Sequence, residues 1–165
     1  MKIFKINLAA FCITCAVLSC GCQQTHNPAG VVVITSSFTG FEAVKLEILG
    51  LTEVSCSKSG ECLLKAYISA VDGFGSRIKI SGVFRSELYK YDSRAADNKG
   101  RRLLIWSDTD LTTASENNSY WKDFLRAYEF RHSVNSGEAE KYVLEVTCTD
   151  HNGRRLIAQS VIYKR

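Results

Sequence analysis

Proline is nearly missing from this chain, with Pro28 the single instance, and methionine occurs only at the start. The plentiful Val, Ile, Thr, Tyr and Phe favour extended structure over helical bundles. No uninterrupted apolar run reaches the roughly 20 residues that span a bilayer as a helix, which argues against a permanent transmembrane helix. No stretch is densely basic, and phosphate neutralisation supplies most of the affinity of nucleic-acid binders, so that class is excluded. There is no Gly-x-Ser-x-Gly elbow, and histidines are scarce: His26, His132 and His151. A serine-hydrolase site therefore has no visible nucleophile or base. Disorder is excluded by a 45% apolar and 23% charged composition, and 165 residues suffice for one domain with one core.

The first residues carry an address. Lys2 and Lys5 give a short positive start, and from Ile6 to Ser19 only Asn7, Thr14 and Ser19 interrupt the apolar and small residues. This is the plan of a signal peptide over residues 1–19. It ends in Val17-Leu18-Ser19-Cys20, followed by Gly21-Cys22. The segment resembles the lipobox of bacterial lipoproteins, in which small residues precede a cysteine that receives a diacylglyceryl group and becomes the new N-terminus. Cys20 has the better flanks, and Cys22, with serine three positions before it, is the alternative. Residues 20–30 then read as the lipidated cysteine and a polar tether. The expectation is a chain lipid-anchored in the cell envelope, at the outer rather than the inner membrane, with residues 31–165 forming a domain outside the cytoplasm. Without Lys2 and Lys5, 19 basic residues stand against 17 acidic ones, a nearly neutral +2.

Seven cysteines are present. Cys12 and Cys15 leave with the leader and one of Cys20 and Cys22 takes the lipid, so Cys56, Cys62 and Cys148 remain certain members of the domain. In an oxidising envelope, Cys56 and Cys62 close a local disulfide around Ser57-Lys58-Ser59-Gly60-Glu61. Zinc needs four ligands, and neither His132 nor His151 stands at a ligand spacing from this pair, so no metal is expected. Cys148 alternates in phase with Tyr142, Leu144 and Val146 and reads as a buried thiol.

Short runs of period-two alternation separated by turns fill the rest, the pattern of an all-β antiparallel sandwich of about seven or eight strands with an immunoglobulin-, transthyretin- or C2-like outline. Strands are expected over 31–36, over 43–54 with Val44, Leu46 and Ile48 on one face, and over 63–71 with Leu64, Ala66, Ile68 and Ala70 inward. The Cys56–Cys62 disulfide would staple the hairpin between the last two. Asp72-Gly73-Phe74-Gly75-Ser76 is a turn leading to Ile78 and Ile80. Phe84 and Leu88 face inward from the next strand, with Arg85, Glu87, Tyr89 and Tyr91 opposite. Leu103, Leu104, Ile105 and Trp106 are apolar at both parities, which suggests a strand covered on two sides. Residues 108–118 read as a polar connection, and residues 119–125 as the one short helix, capped by Asn118 or Ser119. Tyr128, Phe130 and His132 share one face of a strand. The final hairpin, 142–149 with 154–163, turns through Asp150-His151-Asn152-Gly153. Residues 97–104 echo residues 150–157, and common turn requirements explain the likeness without a duplication.

Candidate sites are few, and none assigns a catalytic residue or a cofactor. Asp108 and Asp110, with Asp72, Asp92 or Asp97 from other loops, would begin a calcium site, which needs six to eight oxygens. Arg101, Arg102, Arg154 and Arg155 would grip an acidic polymer or lipid head group if they met, although solvated strand edges explain them more simply. Trp106, Tyr120, Trp121, Phe124, Tyr128 and Phe130 line either a groove for a sugar or peptide or a core around the helix. His132 and His151 read as packing and turn residues.

The segments Phe84-Arg85-Ser86-Glu87-Leu88-Tyr89 and Tyr120-Trp121-Lys122-Asp123-Phe124-Leu125-Arg126-Ala127-Tyr128-Glu129-Phe130 resemble parts of an uncharacterised group of envelope lipoproteins from planctomycete-type bacteria. That resemblance spans most of the mature domain and implies no activity or functional residue. In size, anchor and outline the chain is also similar to the small outer-membrane lipoprotein of type VI secretion systems, an analogy at the level of fold. The functional expectation is a non-enzymatic protein-binding or assembly module partnered by another envelope protein. The alternative is a sandwich that binds calcium, carbohydrate or an acidic polymer.

Overall fold

A computed structural model of the chain describes residues 41–134 and 139–165. Cys20, Cys22, the tether over residues 20–30 and the strand expected over residues 31–36 lie outside the described residues.

The longest element, β3 (Cys62–Asp72), organises the first sheet because it is paired along both edges. On one side β1 (Ala43–Ile48) and β2 (Glu53–Cys56) lie end to end against it, β1 on its second half and β2 on its first. On the other side β9 (Ala127–Val134) covers Cys62 to Ile68, and the two-residue β4 (Arg77–Ile78) continues the edge. The second sheet runs in the order β11 (Arg155–Tyr163), β10 (Lys141–Asp150), β5 (Gly82–Tyr91) and β6 (Lys99–Ile105), with β7 (Thr109–Asp110) also pairing with β5. β8 (Trp121–Lys122) ends the first sheet beside β9. Every pairing between these strands is antiparallel. The all-β sandwich expected from the alternation is what forms.

The inward parity is as the alternation requires. Leu64, Ala66, Ile68 and Ala70 of β3 are fully buried, facing Phe84 and Leu88 of β5 and Tyr142, Leu144, Val146 and Cys148 of β10 in one core. The sheets meet most directly through Phe84, whose ring lies 5.3 Å from both Tyr128 and Phe130 across the gap. Such tilted aromatic contacts add to the area term that dominates a core of this kind.

Three hairpins turn in the same way. In each, the first residue accepts from the glycine three places on, and that glycine has a positive φ: Ser57 with Gly60 at 89°, Asp72 with Gly75 at 84°, and Asp150 with Gly153 at 77°. In the last two the opening aspartate also draws two backbone N–H groups onto one oxygen. The echo at residues 97–104 does not share this geometry, because there Asn98 carries the positive φ of 58° and Gly100 does not. Similar letters serve different turns.

Local expectations needed revision in three places. The segment 43–54 is two strands rather than one, separated by a turn at Gly50, and a register shift between Ala43 and Lys45 leaves Ala43 buried and Val44 half exposed. A bulge reverses the parity that the letters alone imply. β6 is not covered on two sides: it is an edge strand, and its Ile105 is 49% exposed. The helix, α1, spans Ala114–Tyr120 rather than 119–125. The cause is a stronger cap, since Thr113 accepts the backbone N–H of Glu116 three residues on. Trp121 and Lys122 are drawn instead into a hairpin with Tyr128 and Ala127.

The two flanks of the sandwich are finished differently. On one, β11 approaches β1 and β2, Lys164 bridges to Val54, and the Arg165 N–H donates to the Val54 carbonyl at 2.8 Å. On the other, where β8 and β9 face β6, no strand among the described residues joins the sheets. There Trp106 and α1 lie across the gap.

A candidate groove on the open flank

Trp106 follows the last residue of β6 and reaches across to the other sheet. Its Nε1–H donates to the Ser133 carbonyl at 3.0 Å, while its backbone N–H stays on Ser86 of β5. Its indole lies flat on the His132 ring, centroids 4.4 Å apart and planes within 13°, and the His132 and Phe130 rings are nearly parallel, centroids 6.2 Å apart. Phe130 in turn meets Tyr120 in a tilted contact, centroids 5.4 Å apart. The chain then returns along β7, and α1 brings Glu116 and Tyr120 to the same opening. The result is an open groove of about 570 Å³ with Trp106, Tyr120, Phe130 and His132 at its floor and Asp108, Asp110, Glu116 and Arg131 at its rim.

The titratable groups of the groove are shifted by burial and by hydrogen bonding. Burial pushes the His132 imidazole down to about 4, so it is neutral over the ordinary pH range. Its Nε2 is buried and has no hydrogen-bond partner among the described residues. Asp108 holds Arg85 through two hydrogen bonds of 2.8 Å, and that hydrogen bonding pulls its carboxyl below the usual range. Asp110 accepts the Thr112 backbone N–H at 2.9 Å, and its hydrogen bonding to Thr112 lowers it similarly. Both expected calcium ligands are thus committed to protein partners. Among the described residues no group of three or more His, Cys, Asp or Glu side chains is placed to hold a metal.

The other sequence candidates separate. Arg102 lies level with Tyr89 and Arg155 level with Thr149, which is itself level with Val83. Six residues along β5 amount to about 20 Å, so the two arginine pairs are not one patch. Arg102 is bound to Glu87 at 3.0 Å, Arg154 to Asp150 at 3.1 Å, and Arg101 and Arg155 are exposed strand-edge residues. Of the aromatic set, Tyr128 is core, Trp121 packs edge-on against it, and Phe124 is 84% exposed at a turn, outside both core and groove. Cys148 is buried, burial pushes its thiol up to about 12, and nothing there activates it.

Cys56 and Cys62 form a disulfide between directly opposed residues of β2 and β3, closing the hairpin as the spacing suggested.

Comparison of the chain with protein-family models, with curated proteins and with solved structures returns no match. Any functional reading therefore rests on the groove and on the sequence of the first residues. The contact that builds the groove, Trp106 on His132, has no signal in the letters, because the residues are 26 positions apart on different sheets. Only the shared parity of Phe130 and His132 hinted at it.

Proposed function

We propose that the protein is an envelope lipoprotein, held at a membrane through Cys20, or Cys22 in its place, whose sandwich is a non-enzymatic binding or assembly module for another envelope protein. The single observation that carries the binding role is the groove on the open flank. It offers aromatic floor residues, rim charges of which Asp108, Asp110 and Arg131 are held by protein partners, and a buried His132 nitrogen without a partner among the described residues. Aromatic anchors ringed by polar groups are the composition of protein-binding hot spots. The leader supports the address: a positive start, a short apolar core and small residues before Cys20. A disulfide-closed hairpin suits an oxidising compartment.

The test is capture from detergent-solubilised envelope by the wild-type protein and by Trp106→Ala and Arg131→Glu. One envelope protein retained by the wild type and lost with both variants is the expected result. Equal capture by all three, or none by the wild type, overturns the reading. The second reading, a carbohydrate ligand, is favoured by the flat Trp106 and Tyr120 rings beside Asp110 and Glu116. Saturable glycan binding abolished by Trp106→Ala would put it first.

A further inference from the structure

In β3 the Tyr67 N–H donates to the Thr52 hydroxyl at 3.0 Å and the Tyr67 carbonyl accepts from the Leu49 N–H at 2.8 Å, so both of its backbone groups point away from β9. Antiparallel pairs alternate between residues that exchange hydrogen bonds and residues that do not. Tyr67 stands opposite Glu129, and the pairing runs on without a register shift to Cys62 and Val134. Glu129, Arg131 and Ser133 therefore aim their N–H and carbonyl groups out of the sheet, towards the open flank. The Ser133 carbonyl agrees, since it accepts the Trp106 indole N–H at 3.0 Å.

This border is covered only at its ends. β8 pairs with Ala127 and Tyr128, and Trp106 supplies one bond at Ser133. Between them the Arg131 N–H, the Arg131 carbonyl and the Ser133 N–H have no hydrogen-bond partner among the described residues. Residues 128–133 make about 17 Å of strand, enough for about five residues of another chain. Arg131 and Ser133 are also wall residues of the groove, so the border and the aromatic floor form one surface. Sheets blunt such borders with bulges and charges. β6, on the same flank, is blunted in that way: its pairing shifts register twice, and Lys99, Arg101 and Arg102 belong to it. β9 has no shift, and its one cation here, Arg131, is drawn along its own strand to Glu129.

A row of outward donors and acceptors at strand spacing is matched by the backbone of another extended chain. The charges of the groove narrow the class. Of the four charged residues that line it, Asp108 is neutralised by Arg85, and Arg131 by Glu129 on the outer face of the sheet. Asp110 and Glu116 are left without a cationic partner among the described residues, and an incoming lysine or arginine complements them.

We propose that the border of β9 over residues 129–133 takes up an extended segment of the partner protein as an additional strand, with apolar and basic side chains turned into the groove. It rests on the groove being the binding site, and it adds the chemistry of what enters.

The experiment uses the full chain in mild detergent and a phage library of random ten-residue peptides. The expected selection is of segments that alternate apolar residues and contain lysine or arginine. Enrichment of acidic segments, or of no peptide while glycans bind saturably, overturns the proposal. A synthetic peptide of the selected sequence is then N-methylated one residue at a time. Only alternate N–H groups of an added strand face β9, so affinity is expected to fall roughly tenfold at every second residue and to hold between them. Tolerance at all positions overturns the proposal. Arg131→Pro removes an outward N–H without breaking a bond to β3, and is expected to weaken the peptide roughly tenfold with little change in thermal unfolding. Asp110→Asn/Glu116→Gln is expected to cost about fivefold at low salt, and unchanged affinity overturns the basic class of partner. Arg131 and Ser133 amides already protected from exchange without peptide, in a monomer or a dimer, place this chain or a second copy on the border and overturn the proposal. An envelope protein captured through Trp106 but indifferent to Arg131→Pro upholds the groove and overturns the added strand, so the two readings fail separately.

Discussion

Trp106 and His132 stack face to face at 4.4 Å although one follows an edge strand of the second sheet and the other belongs to β9 of the first. The stack joins the sheets where no strand does, and it keeps an ionisable ring in an apolar setting. Folding depresses the His132 pKa from 6.5 to about 4, so the folded state binds this proton less readily than the unfolded chain. The stability that depends on a neutral ring is complete above pH 6.5, and is lost as pH falls towards 4. The loss is on the order of 3 kcal/mol at its limit. Urea unfolding at pH 7 and pH 4.5 should show it, and His132→Phe should flatten the difference. An equal pH dependence in that variant would remove His132 as the cause.

The Cys56–Cys62 bridge closes a short loop, with a sequence separation of 6, so its effect on the unfolded chain is modest. The double substitution Cys56→Ser/Cys62→Ser is expected to cost about 2 kcal/mol in thermal unfolding and to leave the fold intact. Cys148 in the same protein should resist iodoacetamide until denaturant is added, read by mass mapping of the modified peptide, because its thiol is buried and pushed up to about 12.

Gly82 opens β5 where β10 comes closest. A Cβ placed there would lie 2.7 Å from both the Cys148 Sγ and the Thr149 carbonyl oxygen. Gly82→Ala is therefore expected to destabilise the protein by about 1–3 kcal/mol. Adding Cys148→Ala should recover only part of the loss, since the carbonyl remains. Gly50→Ala, with open space around it, serves as the control in the same melts.

Asn117 pins α1 to the sandwich. Its Nδ2 donates to the Ile80 carbonyl at 2.7 Å and the Leu111 carbonyl at 2.9 Å, and its Oδ1 accepts from the Tyr128 hydroxyl at 3.0 Å. The Ile80 N–H in turn donates to that hydroxyl at 2.8 Å. Asn117→Leu keeps the volume and removes the donors, so a loss of about 2–3 kcal/mol is expected. Amide exchange should rise in α1 before it rises in β10 if the network holds the helix as described.

What the letters disclosed follows from which forces act locally. Alternation at Leu64, Ala66, Ile68 and Ala70, or at Tyr142, Leu144, Val146 and Cys148, records a buried face directly, and both strands lie as read. The Asp72 and Asp150 turns announce themselves through aspartate and glycine. Val44 was misassigned because a bulge is a property of two strands in register, not of one. Residues 119–125 have apolar residues at helical spacing, but Trp121 and Lys122 gain a partner strand, while a single threonine fixes the helix five residues earlier at its start. That Arg85, 23 positions away, lies beside Asp108 and that Thr112 turns back to Asp110 has no signal in the letters. The groove was the least legible feature, because Trp106 and His132 meet only after both sheets exist.

The seam between Val54 and the last two residues has a consequence for crowding. A sheet border with unpaired amides invites the next molecule to add on. Here Lys164 bridges to Val54 and the Arg165 N–H donates to the Val54 carbonyl, so the β2 part of that border is met within the same molecule. Deleting these two residues would reopen it and should convert a dispersed population into sheet-linked chains.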